Sequence, residues 1–188
     1  GTMVQIWMHP TYRRALISFN LSSIPSNSVI NNAGLCGNSS ASGFLIAVYP
    51  GLVPWIEGTK NAATAAAGEP TWDWRQYNTV AWGAAGGLAG TDYNANNETS
   101  NVSTNYHTLT CFSIPVMVQS WVSNPDNNFG AWLIRTDGVA GYFAFESSEA
   151  TDVSSRPYLQ VTYSPPANTA PNNPAPTIRS VDGSNSTS

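Results

Sequence analysis

The sequence predicts an all-β fold, a sandwich or jelly roll, and three observations carry that reading. Apolar and polar residues alternate with period two along most of the chain, the alternating segments are short, and clusters of Gly, Pro, Asn or Ser bound them. In order, MVQIWM stops at His9-Pro10, RRALISFNL at Ser22-Ser23, INNAGLCG at Asn38-Ser39 and FLIAVYP at Pro50-Gly51. YHTLTCF, GAWLIRT, GYFAFES and YLQVTYS follow, closed by Ser113, Asp137-Gly138, Ser147-Ser148 and Pro165-Pro166. Eight short strands of this kind bury their apolar faces by stacking as two sheets.

One segment departs from the period. In FSIPVMVQSWVSNPD, Ile114, Val118, Trp121 and Val122 recur at three- and four-residue spacing until Asn124-Pro125 stops them. That spacing predicts one short helix plugging an end of the sandwich. Residues 50–105 are irregular, with the Ala/Gly-rich stretches NAATAAAGEP and WGAAGGLAGTD and with Trp55, Trp72, Trp74 and Trp82 among them. A connection that long is either functional or packed over the sheet by its aromatics. The chain therefore divides into a sandwich over 1–164, a Pro/Asn-rich linker over 165–176, and a tail, TIRSVDGSNSTS, over 177–188.

Length and charge narrow the function classes. At 188 residues the chain fits one domain and an extension. Seven basic residues stand against eleven acidic ones, without runs, so the clustered cations that a nucleic-acid backbone requires are missing. No apolar run approaches the roughly 18 residues of a membrane span. Charged residues make up only 10%, and Asn, Ser, Thr and Gly supply the polar surface instead, which suits an extracellular or cell-surface protein.

Cys36 and Cys111 both fall in predicted strands, GLCG and LTCF. Two cysteines need His or carboxylate help to hold zinc, and His9 and His107 have no ligand spacing, so a disulfide is expected, with an oxidising compartment. N-x-S/T sequons occur at Asn20, Asn38, Asn97, Asn101 and Asn185. Asn97 and Asn101 lie in NANNETSNVSTN, read as an exposed loop, and are the better glycan acceptors.

Catalysis finds little support. Glu146, Glu149 and Asp152 cluster in sequence, as a glycosidase would require of its carboxylates. Arg156 follows closely, and an Arg pairing with Glu146 or Glu149 would fix the turn into YLQVTY instead. Asp73, Asp92, Asp126 and Asp137 are loop carboxylates of the kind calcium uses, but no D-x-D-x-D-G loop occurs, so calcium is a weak option and no other cofactor or metal is expected. Trp74 and Trp82 are the candidates for a sugar-stacking platform, weighed against a core-closing role that large aromatics usually take.

Taken in order, RRALISFNLSSIPSNSVINNAGL, PWIEGT, PTWDWR with Trp82 downstream, VQSWVSNPDNNFGAWLI and FESSEATDVSSRPYLQVTY resemble the DNRLRE domain. This is the disaggregatase-related repeat family of secreted bacterial and archaeal proteins. The resemblance runs from about Met3 to Tyr163. It implies a jelly-roll β-sandwich, a secreted or surface location and no catalytic constellation, and extends to the alginate-associated carbohydrate-binding modules of family 96.

Members of that family usually begin with a strand of the type D-A-x-I-x-S and a polar run, before the strand that here reads TMVQIW. The tail has the character of that missing first strand. Thr177, Ile178, Arg179 and Val181 are then a donor strand, and Met3, Val4 and Ile6 the acceptor edge. An uncovered edge and groove invite a strand from another copy, and head-to-tail donation that does not close makes a filament. At about 3.1 Å per residue, the twelve-residue linker reaches roughly 35 Å. Two functions are thus expected: a non-enzymatic filament subunit whose partners are copies of itself, or a secreted module for an acidic polysaccharide. Tandem covalent repeats would blend the two.

Overall fold

The computed structural model describes residues 3–39, 43–103, 108–166, 177–180 and 183–187, with backbone alone for 100–103 and for the two strands beyond residue 176. The eight expected strands are present as β1 (Gln5–Met8), β2 (Ala15–Phe19), β3 (Val29–Asn38), β4 (Leu45–Pro50), β8 (Leu109–Ser113), β9 (Ala131–Arg135), β10 (Phe143–Glu146) and β11 (Tyr158–Ser164). Five more complete the set: β5 (Trp74–Gln76), β6 (Val80–Ala81), β7 (Thr99–Ser103), β12 (Thr177–Ser180) and β13 (Gly183–Thr187). The short helix is α1 (Pro115–Ser123).

The result is an all-β sandwich. One sheet has four strands in the order β12-β11-β3-β8 and the other five in the order β13-β2-β9-β4-β7. Ile17, Phe19, Ile46, Val48 and Leu133 from the second sheet meet Leu35, Phe112, Leu159 and Val161 from the first in one buried core. Alternation explains the division, because residues two apart on a strand share a face. Helix α1 seals one end: Met117, Val118, Trp121 and Val122 are buried, and Gln119 accepts from the Ile30 N–H (2.8 Å) and donates to the Ser28 carbonyl (3.1 Å). Having no side-chain cap of its own, the helix borrows Glu98, whose oxygens accept from the N–H groups of Val116 (2.6 Å) and Met117 (2.5 Å). Burial pushes the Glu98 carboxyl up, against the pull of those two bonds.

The outer face of the five-stranded sheet is apolar too. Leu16, Trp132 and Ile134 point outward from β2 and β9 and are buried by Trp82 and Tyr93 of the long connection, with Tyr49, Val53 and Trp55 at its margin. Trp82 packs edge-on to Trp132 at 4.9 Å and donates Nε1–H to the Thr71 carbonyl at 2.8 Å, while Trp55 donates to Phe129 O at 2.8 Å. The connection is therefore packed over the sheet by its aromatics. Gly86 and Gly87 lie between Trp72 and Trp132 with φ of +78° and +89°, and a Cβ on Gly87 would come within 2.6 Å of the Trp132 ring.

NANNETSNVSTN is not a loop throughout. Asn97 is exposed, but Thr99–Ser103 pairs with β4, which places Asn101 within a strand. The outer side of β4 needs a ladder partner, and that tertiary demand overrides a polar composition.

Candidate functional site

The tail lies in its own chain, along one side of the sandwich. β12 runs antiparallel to β11, with Leu159↔Ser180, Gln160↔Arg179, Val161↔Ile178 and Thr162↔Thr177 in register. β13 runs antiparallel to β2, from Gly183↔Phe19 to Thr187↔Ala15. The residues between them, among them Val181, lie outside the described residues, as does the linker from residue 167 onward. A single short stretch thus adds one strand to each sheet. On their other sides β11 pairs with β3 and β2 with β9, so among the described residues it is the tail that keeps β11 and β2 from being edges.

These are core strands. Leu159, Val161, Ala15, Ile17 and Phe19 are all buried in the central cluster. Edges of this kind are templates for another chain when left unpaired.

The acceptor edge expected at Met3, Val4 and Ile6 lies on and just before β1 of the two-stranded β1-β10 sheet. β1 is already paired with β10, Ile6 opposite Phe145, and the carbonyls of Met3 and Val4 accept from Ser147 Oγ (2.5 Å) and the Ser147 N–H (2.9 Å). The two strands of the tail pair with β11 and β2.

Cys36 and Cys111 form a disulfide, standing directly opposite each other on β3 and β8. Of the sequons, Asn20 is exposed with its Oδ1 accepting from the Ser22 N–H at 2.9 Å, Asn38 is half-buried at the end of β3, and Asn97 is exposed. Asn185 stands in β13 opposite Ile17. The pair of sugar-stacking candidates separates: Trp82 is 5% exposed, with no free ring face, whereas Trp74 is half-buried on β5.

The carboxylates take structural work apart from one another. Arg156 donates to the Ala150 carbonyl at 3.0 Å, not to a glutamate; Glu146 accepts from Gln5 Nε2 at 3.1 Å, and Asp152 caps Ser154 and Ser155. Those serine bonds hold the Asp152 carboxyl below its ordinary value. Asp92 accepts from the N–H groups of Gly83 (2.8 Å) and Leu88 (2.7 Å). Asp137 pairs with buried Arg135 at 2.7 Å; burial pushes its carboxyl up, but Arg135 and the N–H groups of Leu45 and Val139 outweigh that and hold it low. No group of three or more potential metal ligands comes together among the described residues.

Sequence reasoning missed one assembly. Trp7, His9, Tyr12, Arg13 and Tyr142 meet on the surface beside the β1–β10 ladder. Tyr142 is 130 residues from Tyr12, so no local pattern signals their contact.

No protein-family model matches the chain, and a search of curated proteins finds no similar sequence. No helix among the described residues is long and apolar enough to cross a membrane.

Proposed function

We propose that this chain is a non-enzymatic structural subunit of an extracellular filament, assembled head-to-tail when the tail strands of one copy complete the sandwich of the next. The observation that carries the reading is the pairing of β12 and β13 with core strands of both sheets, reached through a twelve-residue Pro/Asn-rich linker. A hairpin between adjacent antiparallel strands ordinarily needs a loop of 2–5 residues. Here Thr162 is the partner of Thr177, across a connection several times longer than closure within one chain requires. Such a connection lets the same strand pair leave its own sandwich and enter a neighbour's with identical registers, at little enthalpic difference. Sequons on exposed Asn20 and Asn97 and the Cys36–Cys111 disulfide accord with a secreted polymer. On this reading the resemblance to the DNRLRE domain describes a sandwich whose first strand is taken from the tail.

Electron microscopy of the purified chain at neutral pH, with and without residues 177–188, tests it. The full chain is expected to give regular fibres, and the truncated one monomers that bind a synthetic peptide of residues 177–188. Fibres that survive the truncation would overturn strand donation.

A further inference from the structure

Going beyond the filament reading and independently of it, we propose that Tyr12 and Tyr142 are a modification site, where a peroxide-driven oxidant couples their two phenol rings into a dityrosine. The residues stand 130 apart in sequence, yet the Tyr12 hydroxyl donates to the Tyr142 hydroxyl at 2.8 Å. They are also the exposed tyrosines of the described chain. Tyr12 is 44% and Tyr142 46% exposed, whereas Tyr49 and Tyr77 are half-buried and Tyr93, Tyr158 and Tyr163 are buried. The two phenols that an external oxidant reaches most easily are thus each other's hydrogen-bond partner.

Local structure explains how they meet. His9 and Arg13 close the turn after β1 with reciprocal backbone bonds of 3.0 and 3.4 Å, which carries Tyr12 back toward the β1–β10 ladder, and Tyr142 directly precedes β10. His9 stacks on Tyr12 at 3.8 Å, Trp7 lies edge-on to Tyr142 at 5.9 Å, and the Arg13 guanidinium sits 5.3 Å from the centre of the Tyr142 ring. With neighbours of this kind the rings have little freedom left to lose on joining, as fast reaction between positioned partners requires.

The hydroxyl contact sets up the chemistry. Taking one electron and the phenolic proton from a tyrosine leaves a radical shared between the oxygen and the two ring carbons ortho to it. Those carbons flank the hydroxyl, so the short oxygen–oxygen contact brings an ortho carbon of one ring near one of the other. The ring centroids stand 6.1 Å apart at an angle of 71°, and small side-chain rotations, which exposed residues make rapidly, close the remaining gap. Two such radicals pair their electrons in one carbon–carbon bond, and the hydrogens on the joined carbons pass through solvent to the oxygens, restoring both phenols. Each tyrosine has then given up one electron and one proton, and one hydrogen peroxide, acting through a haem peroxidase, takes both pairs and leaves as two waters. A compartment in which the Cys36–Cys111 disulfide persists is an oxidising one.

Tyr49 and Tyr93 provide an internal comparison. Their rings are closer, at 5.2 Å, but Tyr93 is buried and its hydroxyl accepts from Arg14 at 3.2 Å. Ring distance favours that pair; access and the shared hydroxyl bond favour Tyr12 and Tyr142.

Treating the full chain with a haem peroxidase and one equivalent of hydrogen peroxide tests the site. The intact mass is expected to fall by two hydrogens, and trypsin to release the peptide ending at Arg13 joined to the one beginning at Thr136. In a mixture of unlabelled and isotopically heavy chain, the joined peptides should carry one label only. Tyr12→Phe and Tyr142→Phe should each lower dityrosine fluorescence at least about tenfold, and Tyr49→Phe should leave it unchanged. Circular dichroism shows whether each variant folds. The coupled chain should also melt at a higher temperature, because the new bond closes a long loop in the unfolded state. Coupling of Tyr49 with Tyr93 in preference, joined peptides of mixed label, or a folded chain that yields no dityrosine would overturn the proposal. Fibre formation is scored separately and does not depend on the outcome.

Discussion

Residues 50–93 and the strands beyond residue 176 both cover apolar parts of the same sandwich, the first over the outer face of the five-stranded sheet and the second along one side of both sheets. The first cover is fastened by side chains. Trp82 is locked between Thr71 and Trp132, and Arg14 donates to the carbonyls of Gly86 (2.6 Å) and Gly87 (3.1 Å) and to the Tyr93 hydroxyl (3.2 Å). The second is recorded through backbone registers with β11 and β2, and a long linker carries it. Backbone ladders are generic, so any copy of the tail can occupy them, whereas interlocked aromatics fit in one place only. On the proposed function, the difference is that between a permanent lid and an exchangeable one.

The largest effect on this contrast is expected from Trp82→Ala. Removing a buried Trp should cost about 4 kcal/mol, read as a shift in the denaturant midpoint, with the fibres of surviving molecules unchanged in form. Trp74→Ala, on a half-buried residue of β5, should stay within about 1 kcal/mol; equal losses from the two would mean that the lid is not built around Trp82. Gly87→Ala comes next at about 3 kcal/mol, from the positive φ together with the close approach of Trp132. Its measurement is the thermal midpoint, and an unchanged value would show that the loop repacks freely.

The smallest effect is that of pH. Glu69 accepts from Thr59 Oγ1 (2.7 Å) and from the N–H groups of Thr59 and Ala66 (both 2.6 Å), and these bonds lower its carboxyl from 4.5 to about 2. Its pKa is lower in the folded state, so its stabilisation is complete above about 4.5 and fades as pH falls toward 2. Stability of the Glu69→Gln variant should therefore lose part of its pH dependence across that window, while tail exchange at neutral pH stays as it was. A stability profile identical to the unsubstituted chain would remove Glu69 from the lid's fastening.

Legibility followed the range of the interactions. All eight period-two strands and α1 could be read from sequence, since alternation and helical spacing are local. β7 could not, because Thr99–Ser103 becomes a strand only when β4 offers it a ladder. The tail was legible as a strand, but its partners were not: nothing in Thr177 or Ile178 encodes a choice of β11 over β1, which is made by strands distant in sequence. Trp82 and Trp74 look alike in sequence, and only the position of Trp132 beneath Trp82 tells them apart. The Tyr12–Tyr142 cluster left no sequence trace for the same reason.

β11 has a further consequence, in how a fibre would bear load. In the exchanged assembly the outgoing linker leaves from the end of β11, and the incoming β12 docks along the side of that same strand. Tension would enter the next copy through β12 along β11, with β13 along β2 as the second hold. Because β12 lies antiparallel along β11, the incoming linker before Thr177 and the outgoing one after Ser164 attach at the same end of the ladder, so tension would open the rungs one by one from Thr162↔Thr177. A pulled fibre would then peel β12 first and be left held by β13 along β2, so its lifetime under force would be set by two ladders in succession.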